Sequence, residues 1–456
     1  MQTEWYWAIL SGMSEDCLNL NIYIPTKTPP PGGFPVIVFW YGGSFTYGGA
    51  SFPLYDGVTD VALMEDVILV AANYRLAVFG FLAGDELRSE SPDGSVGGYG
   101  FMDQQRALRW VQKEIAAFGG NPAKVTIQGE SAGGASVSNH LVAPGSRGLF
   151  AGAIIQSGSP SDWSTQPYNI SRTRLPQVAK NVGCAGAGAA LLACMRAVNG
   201  TAMLAADKGL TSGFLEWSPA IDGVTILDNP RALFAAGAVA PVPVLLGFNH
   251  DEGTLFNNAP TTLNASEYIA ALATDIGEEL AVKVAAVYPL AAEESPWWAI
   301  CSVLRDSQML CPGTQAAAWL AAPAVAQPAF VYFYNQVLVL VDIIDLFRNL
   351  RCFHGSELVS VFDLTVLLWN DAEVAMAKTF VGYWSNFAVS GNPASGPASV
   401  PAWPAFGAAG NVAIISAIEG PPVSRSNVTI VNGVNADKCA FWAQNPIPES
   451  VIWGNA

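Results

Sequence analysis

The sequence predicts an α/β fold, a mostly parallel central sheet with helices on both faces and helical insertions above it. Three observations predict it. Continuous apolar runs of strand length recur along the chain, as buried parallel strands require. Segments of helical spacing separate them, the alternation that builds crossovers. Residues 125 to 134 read Val-Thr-Ile-Gln-Gly-Glu-Ser-Ala-Gly-Gly, a β-branched run, a glycine-flanked serine and a helix-compatible stretch.

Cys17–Pro25 alternates like a strand, and a Pro/Gly loop follows at Pro29–Pro35. Val36–Trp40 is a buried strand ending in Tyr-Gly-Gly-Ser-Phe, and Asp66–Asn73 is another. Asp103–Phe118 places Ala107, Leu108, Val111, Ile115 and Phe118 at helical spacing and stops at Gly119-Gly120. Val125–Gln128 is the strand before the serine, and Ala132–Val142 the helix after it. Ala151–Gln156, Val242–Gly247 and Ala329–Tyr334 complete the buried strands. Residues 183 to 206 and 264 to 324 are Ala-rich and helical, and are expected to insert on top of the sheet. Ser390–Pro404 is rich in Pro, Gly and Ser and reads as a surface loop. No linker divides the 456 residues, so a single domain spanning 1–456 is expected.

Hydrophobic residues make up 51% and charged residues 13%, enough for a large core. Formal net charge is −16 with no Lys/Arg cluster, which excludes nucleic acid as a partner and disfavours anionic membranes. No apolar run reaches the roughly 18 residues needed to span a bilayer. Val61–Ala72 is broken by Glu65 and Asp66, and Val337–Ile344 by Asp342. Met-Gln-Thr-Glu-Trp-Tyr-Trp at the start lacks the basic and apolar regions of a signal peptide. Sequons at Asn169, Asn199, Asn264 and Asn427 nevertheless point to a secreted glycoprotein whose given start is incomplete.

A serine hydroxyl becomes a nucleophile only when a sharp turn presents it beside a base and an oxyanion site. In Gly-Glu-Ser-Ala-Gly, Gly129 permits the turn and Gly133 allows the helix to pack close. The base is one of three histidines, His140, His250 and His354. His140 lies on the helix that starts at Ser131, pointing away from the open end. His250, in a strand-end loop, would need the acid placed before it in the order nucleophile, acid, histidine, whereas His354 follows every plausible acid. His354, in Cys-Phe-His-Gly-Ser-Glu-Leu, is therefore the expected base. The loop after Val242–Gly247 supplies Asp251 and Glu252, and spacing alone does not choose between them. Backbone N–H groups for an oxyanion are expected from Ala132 and from the Tyr41–Phe45 loop. Three scattered histidines without clustered ligands give no metal site, and no cofactor is expected.

These residues resemble the type-B carboxylesterases, the cholinesterase and fungal lipase family, over nearly the whole chain. The resemblance rests on Ser14–Asn21, Asn73-Tyr74-Arg75, Gly80-Phe81, Gly100–Val111, Phe118–Pro122, Gly129–Gly134, Gln156-Ser157-Gly158 and Asp222-Gly223. It implies the α/β-hydrolase fold and carboxylic-ester hydrolysis through an acyl-enzyme. It also selects Glu252 as the triad acid, beside Ser131 and His354, with N–H groups of Gly43, Ser44 and Ala132 as the oxyanion hole. Disulfides Cys184–Cys194 and Cys311–Cys439 are implied by the same likeness.

Three departures stand out. Ser44 replaces the family's third oxyanion-loop glycine, at a position where a positive φ costs energy without glycine. Cys17 matches a cysteine whose usual partner lies in an upstream lid segment that, with the family's N-terminal strands, is absent from this sequence; either the sequence starts late or the protein lacks the lid. Cys301 and Cys352 have no assigned partner, and a bridge at Cys352 would stiffen the loop of His354. Two other functions are the alternatives: a lipase or sterol esterase acting on long-chain lipid esters, and an inactive cholinesterase-like binding protein. Phe214, Trp217, Trp297 and Trp298 are expected as core aromatics before gorge walls.

Overall fold

The structure, a computed structural model, describes residues 13–55, 66–206, 215–343, 349–418 and 425–453. The N-terminal residues and Phe214 lie outside the described residues. Nine strands form one sheet: β1 (Leu20–Tyr23), β2 (Phe34–Trp40), β3 (Ile68–Ala72), β4 (Gly120–Glu130), β5 (Gly152–Gln156), β6 (Val244–Asn249), β7 (Ala329–Tyr334), β8 (Asn411–Ile418) and β9 (Arg425–Asn432). Their order across the sheet is β1-β3-β2-β4-β5-β6-β7-β8-β9. Pairing from β3 through β8 is parallel, while β1 and β9 run antiparallel at the two edges.

Burial explains this arrangement. Every residue of β2, β3, β5, β6 and β7 is buried, the pattern of strands covered by helices on both faces. The edge strands β1 and β9 have no fully buried residue. Both edges carry the polar residues that blunt further pairing, such as Asn21, Arg425 and Asn427.

The helices that matter for the site are α1 (Tyr99–Glu114), α2 (Ala132–Val142), α3 (Pro296–Arg305), α4 (Cys311–Ala321), α5 (Asp371–Ser390) and α6 (Ala436–Gln444). All eleven residues of α2 are buried. Its closeness to the sheet depends on glycine: a Cβ on Gly133 would sit 1.9 Å from the Trp40 carbonyl oxygen, and one on Gly129 2.3 Å from Gly133. The expected 103–118 helix begins earlier, at Tyr99, and closes as a 3-10 turn over Ile115–Phe118. Residues 183 to 206 and 264 to 324 are largely helical. The strands β8 and β9 and the long helix α5 were not among the expected elements.

Disulfides join Cys184 to Cys194 and Cys311 to Cys439. Cys17, Cys301 and Cys352 carry free thiols. Trp217 and Trp297 are buried, whereas Trp298 is half-buried with the Arg351 guanidinium 3.9 Å above its ring. Among the described residues, no helix is long and apolar enough to cross a membrane.

Candidate active site

Parallel pairing places the C-terminal ends of β2, β4, β5 and β6 along one edge of the sheet, with Trp40 opposite Gly129, Glu130 opposite Gln156, and Gln156 opposite Gly247. The site residues follow these ends. Ser131 stands between β4 and α2 with φ 57° and ψ −124°. This is a strained conformation for a residue with a side chain, and its N–H is held by the Gln156 carbonyl at 2.9 Å. The helix starts at the next residue, so the Ala132 N–H lies among the free donors of a helix N-terminus.

The loop after β2 turns left-handed at three successive residues: Gly43 (φ 105°), Ser44 (φ 54°) and Phe45 (φ 58°). The Gly43 carbonyl accepts from Thr46 N–H at 2.9 Å and Tyr47 N–H at 3.1 Å, closing the turn. Phe45 is buried with its ring edge-on to Phe81 at 5.1 Å. A Cβ on Gly42 would come within 2.8 Å of both Ser131 Cβ and Glu130 Oε2, so this loop lies directly against the serine turn.

Glu252 begins the short turn after β6 and is fully buried. Its Oε1 accepts from the Ser157 hydroxyl at 2.5 Å and the Asn249 N–H at 2.8 Å. Its Oε2 lies 2.5 Å from His354 Nδ1. The Phe256 ring stands edge-on to the imidazole at 4.8 Å.

His354 Nε2 faces a second carboxylate. It lies 3.2 Å from Glu130 Oε1, although neither atom has a hydrogen-bond partner of good geometry among the described residues. The Ser131 hydroxyl is therefore not bonded to the imidazole in this state. Catalytic contacts of this kind often tighten only with substrate bound. A third carboxyl, Glu357, is buried behind the pair and accepts from Gln156 Nε2 at 3.0 Å and Asn249 Nδ2 at 2.5 Å.

Two of the buried carboxyls and the imidazole are strongly perturbed. Burial pushes the Glu130 carboxyl up to about 8 and that of Glu357 up to about 7. Burial alone would lower His354, but the charges of Glu130 and Glu252 outweigh it and hold the imidazole up to about 9.

The other two histidines sit elsewhere. His140 is buried, with Nδ1 2.8 Å from Ser146 Oγ and its ring stacked on Phe101 at 4.3 Å. His250 is partly exposed and pairs through Nδ1 with Asp251 Oδ1 at 2.8 Å. The other Asp251 oxygen accepts from the Cys352 N–H at 3.1 Å, so Asp251 turns away from His354. Cys352 makes no bridge; its thiol donates to the Tyr334 carbonyl at 3.1 Å.

Sequence reasoning did not single out Glu130, Ser157, Asn249 or Glu357. Glu130 is the variable position of the serine motif itself, and Glu357 lies three residues past His354. A carboxyl beside each of two candidate catalytic residues was a signal available in the sequence.

The chain matches the sequence profile of the Carboxylesterase family over residues 2–442. It is 33% identical to a cholinesterase of Mus musculus over 96% of this chain and 73% of that protein. It is 33% identical to an acetylcholinesterase of Danio rerio over 84% of this chain and 67% of that one. An acetylcholinesterase of Bungarus fasciatus is 32% identical over 96% and 73% respectively. With its mostly parallel sheet and its serine at a strand-to-helix turn, the chain belongs to the carboxylesterase family and is a carboxylic-ester hydrolase.

Proposed function

We propose that hydrolysis runs through an acyl-enzyme with Ser131 as nucleophile, His354 as base and Glu252 as the acid that orients it. The observation that carries this reading is the 2.5 Å contact between Glu252 and His354 at the sheet edge where Ser131 is held in a strained turn. His354 Nε2 takes the serine proton as Oγ attacks the ester carbonyl carbon, then returns it to the leaving alcohol. Water attacks the acyl-enzyme by the same route and releases the acid. Glu252 fixes the ring through Nδ1 and stabilises the imidazolium. The N–H groups of Gly43, Ser44 and Ala132 face the developing oxyanion, each donor of this kind being worth about 2.7–4 kcal/mol in the transition state.

A chain of net charge −16 favours esters of cationic alcohols over anionic esters. The names of the similar cholinesterases point to the same class. Secretion is proposed as well, supported by two disulfides and by exposed sequons at Asn169, Asn199 and Asn264. Asn427 is half-buried on β9, where its amide donates to Ser416 Oγ at 3.3 Å, so it is the weakest acceptor of the four.

The test is Ser131→Ala with a short-chain p-nitrophenyl ester. Turnover is expected to disappear together with labelling by a fluorophosphonate probe. Retained turnover would remove Ser131 from the mechanism.

A further inference from the structure

The loop that carries Glu252 and the loop that carries His354 are separate segments, a hundred residues apart, and their 2.5 Å contact requires them to hold one register. Five hydrogen bonds fasten them, one being the 2.5 Å bond from Asn249 Nδ2 to Glu357 Oε2. Asn249 Nδ2 donates to the Phe353 carbonyl at 2.8 Å. Asp251 N–H donates to the Cys352 carbonyl at 2.9 Å. Cys352 N–H donates to Asp251 Oδ2 at 3.1 Å. Thr254 Oγ1 donates to the Leu350 carbonyl at 2.9 Å. In four of these the acid loop donates. Asp251 alone also supplies an acceptor, and it bonds Cys352 in both directions.

Asp251 is itself held from behind. Its Oδ1 faces His250 Nδ1 at 2.8 Å, and the His250 carbonyl accepts from Arg305 Nη1 at 3.1 Å. Arg305 is buried and paired with Asp306 at 2.7 Å. Asp306 in turn accepts from the Tyr288 hydroxyl at 2.8 Å and from Asn435 Nδ2, at the start of α6, at 2.9 Å. The backing of the acid loop thus reaches the helix that the Cys311–Cys439 disulfide secures.

We propose that Asp251 is a positioning residue for ester hydrolysis: it locks the acid loop to the histidine loop through Cys352, so that Glu252 meets His354 in reactive register. The proposal rests on the Ser131–Glu252–His354 reading. Cys352 is fully buried, so its N–H has no solvent to turn to when Asp251 is lost. The loop relaxes instead, and a displacement of about 1 Å at a catalytic group costs on the order of a hundredfold in rate.

The experiment compares Asp251→Ala, Asp251→Asn and Glu252→Gln in the full chain, reading kcat and KM with a short-chain ester. An asparagine oxygen still accepts from Cys352 N–H, and alanine offers nothing. Expected are a fall in kcat of roughly ten- to a hundredfold for Asp251→Ala with KM within about threefold, recovery to within about threefold of wild type in Asp251→Asn, and a loss in Glu252→Gln at least as deep as that of alanine. If Asp251→Ala keeps kcat, or changes only KM, the positioning role is overturned while the triad stands. If Asp251→Asn fails as badly as alanine while Glu252→Gln stays active, Asp251 is the triad acid and both readings fall. Should Asp251→Ala not fold, Asp251→Leu keeps the side-chain volume and removes the acceptor for the Cys352 N–H; the proposal then requires kcat to fall with KM held, and an unchanged kcat overturns it.

Discussion

Glu130→Gln tests the electrostatics of the site most directly. The change is isosteric and removes a carboxylate 3.2 Å from His354 Nε2. At that distance and an effective dielectric constant of about 20, two unit charges attract by about 5 kcal/mol. At about 1.4 kcal/mol per pH unit this is a ceiling of between three and four units on the imidazole. The ceiling is not reached, because burial pushes Glu130 itself up to about 8 and its charge is incomplete below that pH. A downward displacement of at least about one unit is the expected remainder. The sign follows from which form the carboxylate favours: an anion stabilises the imidazolium, so its loss frees the neutral base at lower pH. In wild type the acid limb of kcat/KM is expected above neutrality, since His354 is held up to about 9 rather than at the ordinary imidazole value near 6.5. In Glu130→Gln the limb moves toward that ordinary value. The assay is a kcat/KM profile from about pH 5 to 10 with a neutral short-chain ester, whose ionisation does not change in this range. A limb that stays put, or moves upward, would refute the reasoning.

Three further outcomes are expected. Ser44→Gly relieves a left-handed serine costing about 1–2 kcal/mol and returns about 0.4–1 kcal/mol to the unfolded chain, so a net gain of about 0.8 kcal/mol, and at most about 1.6 kcal/mol, should appear as a higher denaturant midpoint. Burial pushes the His140 imidazole down to about 3, whereas the unfolded chain binds that proton near 6.5. Its contribution to stability is complete above about 6.5 and is lost as pH falls toward about 3, with a slope of up to about 1.4 kcal/mol per unit that His140→Gln should remove from denaturant titrations across this window. The disulfides close loops of very different length, with sequence separations of 10 and 128 residues. Chain entropy then predicts a loss of about 2.7 kcal/mol for Cys184→Ser with Cys194→Ser, and about 4.9 kcal/mol for Cys311→Ser with Cys439→Ser, measured by the same unfolding curves.

The central sheet was legible because strands covered on both faces must be apolar throughout. Val36–Trp40 and Ala329–Tyr334 have no other economical reading, and both are strands. The outer pair β8–β9 was not legible. Asn411–Ile418 mixes buried and half-buried positions without clean alternation, and Arg425–Asn432 is exposed along much of its length. The candidate base emerged by elimination because the chain has only three histidines, and burial of His140 follows from its place on a helix with no exposed face. Between Asp251 and Glu252 the residues alone were silent. Which of two adjacent side chains turns toward His354 depends on the backbone bond between Asp251 and Cys352, a contact across a hundred residues that no local pattern encodes.

The placement of backbone strain carries the last step. Nine described residues other than glycine have positive φ: Ser44, Phe45, Ala77, Ser131, Ser157, Ala326, Arg351, Asp363 and Asn435. Four of them, Ser44, Phe45, Ser131 and Ser157, lie just past the ends of the neighbouring strands β2, β4 and β5, and Arg351 lies in the loop of His354. A left-handed residue with a side chain costs of order 1–3 kcal/mol and persists only where its surroundings over-determine it. Here the surroundings are identifiable. Phe45 is fixed by its ring against Phe81, Ser131 by Gln156, Ser157 by Glu252 and the Gly247 carbonyl, and Arg351 by Glu294 and Trp298. Ser157 joins two of these roles, since the turn that strains it also aims its hydroxyl at the carboxylate oxygen not used by His354. Central strands that are buried and apolar along their length are thus followed by five of the nine positive-φ side chains at or beside the candidate site, where reactive groups have to be held in place before substrate arrives.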